Sequence, residues 1–258
     1  MPIHRATWHR LAPKNSIPGL PCPQCTPGKL KVVKDTLHVR EPKYVQDWRG
    51  KNPDDWEPDF AVERWSATLR CDEPACGEFV NMIGDIEVVE VDLDLEDGLP
   101  SWGYQDVLRI QALFPVPPLF RISDNVPKPV KKQLEVAFRM FWTDTSACVS
   151  RLRTAVERLL DDQGVPKERL LTKGKNAGKM HRMDLHERID SFTSGSAHKN
   201  QLQGLRNIGN LGTHGGDDVD DDDLFDAVNV LEFVLTGIYD TKTINAMADK
   251  LKGKKAQP

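Results

Sequence analysis

Two sets of residues have the types and spacings that chemistry uses. The first lies in the stretch from Leu202 to Gly216, L-Q-G-L-R-N-I-G-N-L-G-T-H-G-G. Wound as a helix at about 100° per residue, with Arg206 at zero, Asn210 falls near 40°, His214 near 80° and Asn207 near 100°. Leu211, Ile208 and Leu205 fall at roughly 140°, 200° and 260°, with Gly212 between them and Gly209 beside them. One narrow arc therefore carries an arginine, two asparagines and a histidine. A solvated arc is usually built from Lys and Glu, and this one has neither. The arc reads either as an ordinary wet face or as a functional or dimer-forming polar cluster. His214 falls in the last turn, where the helix dipole favours the imidazolium. Each glycine costs a helix interior about 1 kcal/mol relative to Ala. On the apolar arc they would let another helix come close.

The second set is cysteine. Cys22 and Cys25 form C-x-x-C in P-C-P-Q-C-T-P-G-K-L, and Cys71 and Cys76 follow in L-R-C-D-E-P-A-C-G-E-F-V. In a reducing compartment close cysteine pairs point to metal rather than to disulfides. Strand-like runs flank both pairs: K-L-K-V-V, R-W-S-A-T-L-R and F-V-N-M-I-G-D-I-E-V-V-E-V. Two knuckles on two hairpins offering four thiolates match a zinc ribbon. Four thiolates leave no open coordination position, so the Zn2+ is expected to be structural. The alternative is four buried or free thiols. Cys148 stands apart, on an apolar helical stripe, and reads as core.

Composition bounds the rest. The chain has 258 residues, 39% hydrophobic and 29% charged, and a net charge of −4. These values suit one large or two modest globular domains and argue against generic polyanion binding. The basic stretch at 165–182 is the best local phosphate-binding candidate, although a solvated loop is the commoner meaning of such composition. The apolar run V-L-E-F-V-L is far too short to span a bilayer, and the start lacks the apolar core of a signal peptide. A cytoplasmic location with no membrane association is expected.

The elements that must position these residues follow in order. Residues 1 to about 20 show no period. The segment between the cysteine pairs is rich in Trp, Asp and Pro; Trp48 and Trp56 could stack on bases or pack over the ribbon. Residues 96–127 are Pro-dense and read as a connector. From Pro129 the period becomes helical, through Val130, Leu134, Ala137, Phe138 and Phe141. Asp144 is placed to cap the next helix, which Gly164 ends. Arg153 and Glu157 lie i, i+4 on it, as a surface pair or a buried contact. The acidic run from Asp217 to Asp223 caps and charges the final long helix, whose stripe is Leu224, Val228, Leu231, Leu235 and Ile238.

With these residues in place, the second half resembles the domain of unknown function 4145. The likeness rests on R-x-x-x-E at Arg153 and Glu157, on L-R-N-I-G-N-L-G-T-H and on the long apolar helix, over roughly residues 125 to 240. That family occurs in restriction enzymes and other prokaryotic defence proteins, sometimes behind a zinc ribbon. It is also similar to the wider HEPN class of helical domains, many of which dimerise and cleave RNA without metal. The resemblance implies that Arg206 holds a phosphate, that His214 acts as general acid or base, and that Asn207 or Asn210 orients one of them. It further implies a homodimer, a role in phage defence, and RNA or a defence-system protein as partner. Eight helical steps put the α-carbons of Arg206 and His214 about 12 Å apart along the axis. One phosphate would meet both only through long side chains or a second subunit.

The expectation is thus an α+β chain: a zinc-ribbon-like β module at 1–95, a connector at 96–127, an all-α HEPN-like bundle at 128–245 and a basic tail at 246–258. The expected function is a defence-associated metal-independent ribonuclease or toxin using Arg206, Asn210 and His214. The alternative is a non-catalytic adaptor that binds nucleic acid or protein, with a dimerising helical domain. A third reading makes the polar arc a helix-packing network.

Overall fold

The computed structural model describes residues 8–14, 16–25, 27–57, 60–94, 100–192, 197–214 and 219–252; within these, the side chains of 92–94, 100–102, 213, 214, 242–244 and 246 are not described. The chain divides into two compact units between Pro118 and Leu119.

The first unit is built on one antiparallel sheet. Its strands are β1 (Leu11–Pro13), β2 (Leu30–Val32), β3 (His38–Arg40), β4 (Glu63–Cys71), β5 (Phe79–Asp94) and β6 (Pro100–Phe114). The order is β1-β6-β5-β4-β2, and β3 also pairs with β4. Trp65, Ala67, Leu69 and Cys71 of β4 are buried with Val80 and Met82 of β5, while Arg64, Ser66, Arg70, Asn81 and Ile83 between them are exposed. This is the period-2 alternation of a sheet with one covered face. The sheet bends where the β5–β6 register shifts between Ile83 and Gly84. A Cβ on Gly84 would stand 1.9 Å from the Arg109 carbonyl oxygen, so only glycine fits. Trp65 closes the bend by donating from Nε1 to the Asp85 carbonyl at 3.0 Å.

This unit corrects three expectations. It is a curled sheet with strands of 16 and 15 residues in β5 and β6, larger than a ribbon on two hairpins. The stretch read as a Pro-rich connector contains β6, because its prolines cluster after Phe114 and leave Pro100–Phe114 free to pair. The aperiodic start contains β1, three residues too short to carry a period, which pairs with β6. Between the cysteine pairs lies α1 (Lys43–Lys51), of which only Val45 is buried.

The second unit is mainly helical: α2 (Lys128–Met140), α3 (Thr145–Asp162), α4 (Leu185–Phe192), α5 (Lys199–His214), α6 (Asp221–Leu235) and α7 (Thr241–Lys252). Val130, Leu134, Ala137 and Phe138 of α2, Cys148, Leu152, Val156 and Leu159 of α3, and Leu224, Val228 and Leu231 of α6 are buried. Asp144 caps α3 by accepting the Ala147 N–H at 2.8 Å. Asp220 caps α6 by accepting the Asp223 N–H at 2.7 Å; Asp217 and Asp218 of the acidic run lie outside the described residues. Gly164, at φ +73°, follows the end of α3. A π-helical turn at Thr236–Asp240 rotates the stripe after α6, so Tyr239 is buried where Ile238 is expected.

The all-α expectation for this unit is overturned. The basic stretch forms a strand pair, β7 (Glu168–Leu170) with β8 (Met180–Arg182). Every residue of both strands is exposed or half-buried, so no apolar alternation marked them.

Candidate functional site

Gly28 shows how tightly the cysteine segments meet. A Cβ there would stand 2.2 Å from the Cys71 sulfur and 2.8 Å from that of Cys25. The first knuckle closes with the Cys22 N–H donating to the Gly28 carbonyl at 2.9 Å and the Gln24 N–H reaching the Cys22 sulfur at 3.4 Å. The second turns at Gly77, whose φ of +60° favours glycine. Asp72 stitches the two together: its N–H donates to the Lys29 carbonyl at 2.9 Å, and its carboxylate accepts the Lys29 N–H at 2.8 Å. That contact holds the Asp72 carboxyl below the usual carboxylate range, with burial opposing and Lys31 assisting.

Four sulfurs converge between these knuckles, all within 4.8 Å of one another. Cys22 and Cys76 are 3.7 Å apart and Cys25 and Cys71 3.6 Å. A tetrahedron of sulfurs about 2.3 Å from a central ion has edges of about 3.8 Å. The residues therefore fit one tetrahedral metal ion. Cys22 and Cys71 are buried and Cys25 and Cys76 half-buried. Burial, then the adjacent Cys71 thiol, pushes Cys25 up to about 12. Burial also raises Cys71. Cys22 is lowered: burial works against this, and the backbone N–H groups of Cys25 and Gln24 outweigh it. Sulfurs crowded in this way exchange their protons for a divalent cation when one binds.

Trp48 is 41% exposed and Trp56 half-buried, and the two rings lie in one aromatic group. With Phe60 they form a cluster, centroids 5.5–6.4 Å apart, and the Arg49 guanidinium lies 4.8 Å from the Trp56 ring centre.

The polar arc of α5 is placed differently. Leu202, Leu205 and Gly209 are buried, Arg206 and Asn210 half-buried, and Asn207 and Leu211 exposed. The buried face meets α3 of the same chain. A Cβ on Gly209 would stand 2.4 Å from Cβ of Arg153; one on Gly212 would stand 2.4 Å from Val149 Cγ2 and 2.5 Å from the Ser146 carbonyl oxygen. The glycines thus serve packing within the chain, and no longer argue for a second copy. Arg206 donates from Nη1 to Asn207 Oδ1 at 3.0 Å. The α5 backbone runs through His214, but the His214 side chain lies outside the described residues, as do Gly215 and Gly216. Arg206 and Asn210 share the arc as the wheel requires; their geometry toward His214 is not described. Arg153 and Glu157 stand 3.6 Å apart with both side chains about a third exposed, intermediate between the two readings of that pair.

Sequence reasoning missed Arg188, whose side chain is 7% exposed and lies 2.7 Å from Asp161. A signal existed: Arg188 interrupts the buried stripe of α4 between Leu185 and Ile189. Asp161 itself continues the i, i+4 row from Arg153 and Glu157.

Residues 135–256 match the family model of a domain of unknown function (DUF4145), and residues 11–111 match that of another (DUF8608). The first agrees with the resemblance carried by the α3 and α5 motifs. The second spans β1 to nearly all of β6 and includes both knuckles, so the whole curled sheet, rather than a ribbon alone, is the recurring unit. No curated protein and no solved structure matches the chain. No helix among the described residues is long and apolar enough to cross a membrane.

Proposed function

We propose that this chain is a cytoplasmic, prokaryotic defence-associated protein related to the HEPN class, acting on RNA through the α5 arc. In this reading the four cysteines hold a structural Zn2+. The observation that carries it is the split of α5: its glycine face is docked on α3, and Arg206, Asn207 and Asn210 are left on the more accessible arc. Zinc follows from the ligand chemistry, since four thiolates at tetrahedral spacing suit it and leave no catalytic position.

The chemistry divides among named groups. Arg206 neutralises the phosphate, and its guanidinium is oriented by Asn207. His214 accepts the 2′-hydroxyl proton as that oxygen bonds to phosphorus. The bond from phosphorus to the 5′-oxygen breaks, a proton is returned to that oxygen, and a cyclic phosphate and a free 5′-hydroxyl result. The axial distance between Arg206 and His214, about 12 Å, favours a homodimer in which two copies complete one site.

Purified full-length protein is expected to cleave RNA in the presence of a chelator. Arg206→Ala and His214→Ala should each reduce the rate about 10²- to 10⁴-fold. Both should leave the melting temperature within a degree or two, because neither opens an apolar cavity. Folded, metal-loaded protein that binds RNA but leaves a broad panel uncut would replace the nuclease with the non-catalytic adaptor.

A further inference from the structure

A pocket of about 420 Å³ lies in the helical unit between α3, the ends of the β7–β8 pair and α4. Five cationic side chains line it, Arg153 and Arg158 from α3, Lys167 before β7, Arg182 at the end of β8 and Arg188 from α4, against three carboxylates, Glu157, Asp161 and Asp184. The lining therefore carries two positive charges in excess.

The carboxylates are already committed. Asp161 accepts from Arg188 Nη2 at 2.7 Å and Arg158 Nη1 at 2.9 Å, and lies 3.1 Å from Lys167 Nζ. Burial alone would raise the Asp161 carboxyl; the contacts from Lys167, Arg188 and Arg158 outweigh it and hold it below the usual range. Asp184 is the reciprocal cap of α4: its Oδ1 accepts the Glu187 N–H at 2.8 Å, while its own N–H donates to Glu187 Oε2 at 3.1 Å. Glu157 faces Arg153.

Cationic donors remain. The Nε–H groups of Arg188 and Arg153 are buried with no hydrogen-bond partner among the described residues. Buried donors without partners are rare and call for a physical reason. Arg182 has no ion pair among the described residues and is exposed at the rim. The stem of Arg153 packs against Gly209 of α5, beside the pocket that Arg153 lines. Guanidinium groups from three separate elements present planar forks, the geometry that matches phosphate oxygens.

We propose that this pocket is a binding site for a phosphate monoester of nucleotide size, with the guanidinium groups of the buried Arg188 and the half-buried Arg153 lining it and Arg182 as the rim contact. A phosphate monoester carries about −1.5 to −2 charges at pH 7, which cancels the excess on the lining. The volume falls within the roughly 300–1,000 Å³ of small-molecule sites and exceeds what a bare phosphate fills. This site is separate from the α5 arc and stands whether or not that arc cleaves RNA.

The test is calorimetric titration of the full-length protein with adenosine 5′-monophosphate, inorganic phosphate and a short single-stranded RNA, at constant ionic strength. The expected result is saturable binding of one adenosine 5′-monophosphate per chain. Inorganic phosphate should compete for it, and Arg182→Gln should weaken it by roughly tenfold, the effect of losing one charged contact. Lys173→Gln removes an exposed lysine that does not line the pocket and should change nothing. Arg188→Lys keeps the charge and loses the fork; it too should weaken binding while circular dichroism confirms the fold. No saturable heat up to 10 millimolar ligand would overturn the proposal, as would equal weakening by Arg182→Gln and Lys173→Gln. Binding of RNA alone, with neither small phosphate competing, would also overturn it and assign the charge to a polynucleotide surface.

Discussion

The four-sulfur cluster and the arginine pocket both gather polar side chains from distant segments, yet they are finished to different degrees. In the cluster, sulfurs 54 and 46 residues apart in sequence meet at tetrahedral spacing, and their backbone supports are satisfied. An ion held there would have every position filled by protein. In the pocket, carboxylates offset three of five cations, and two buried guanidinium N–H groups have no partner among the described residues. Convergence that closes on itself serves folding, whereas convergence that stops short leaves interaction strength available to a ligand.

The units around them differ in the same sense. The knuckles meet through backbone hydrogen bonds, sulfur and glycine at one end of the sheet, beside the buried Leu20, Leu30 and Leu69. The helical unit rests on stripes of Leu, Val and Phe from α2, α3 and α6. Metal removal should therefore act on one unit alone. Cys22→Ser with Cys25→Ser should abolish metal binding and unfold the β2–β4 end of the sheet, the largest effect expected. Thiolate–zinc binding is worth on the order of 10 kcal/mol in small zinc domains. Elemental analysis and hydrogen exchange check it, with protection lost around Leu69 and Cys71 and kept in α3. Uniform loss across both units would break the comparison.

The converse variant attacks the helical unit. Gly212→Val places its Cβ against Val149 and the Ser146 carbonyl, where 2.4 Å and 2.5 Å are available. Overpacking of this kind costs about 1–3 kcal/mol. The helical melting transition should fall by several degrees with metal content unchanged. An unaltered melt would mean that α5 is not docked on α3 through its glycines.

Acid should separate the two with the smallest effect. Hydrogen bonding to His181 first, and to the Asp184 N–H next, holds Glu187 low, against the opposing effect of burial. Lys199 does the same for Asp190, and Lys167, Arg188 and Arg158 overcome burial at Asp161. A carboxyl lowered in the folded state contributes stability above its unfolded value, and that contribution is lost as pH falls through the folded one. The helical unit should therefore keep its stability until below about pH 4. Metal held by thiolates is released by protons at higher pH. Metal release followed with a chromogenic chelator, set beside helicity followed by circular dichroism, should give two separate acid transitions; coincident transitions would count against independent units.

Local patterns carried the parts of this protein that local physics decides. The cysteine spacings, the Asp144 cap, the stop at Gly164 and the stripes of α2, α3 and α6 each depend on residues a few positions apart, where helical and strand periods act directly. The same periodicity placed Arg206 and Asn210 on one arc of α5. Tertiary structure alone decided what those faces meet. The glycines of α5 could have received any helix, and only the fold presents them with Arg153 and Val149 of α3. Strand β6 was hidden by the prolines that follow it, and β7 and β8 by their exposure, because a strand exists by pairing with a distant partner that no window contains. The pocket was hidden for the same reason. Arg188 and Asp161 are 27 positions apart in sequence and 2.7 Å apart in space, a contact made by the packing of α4 on α3.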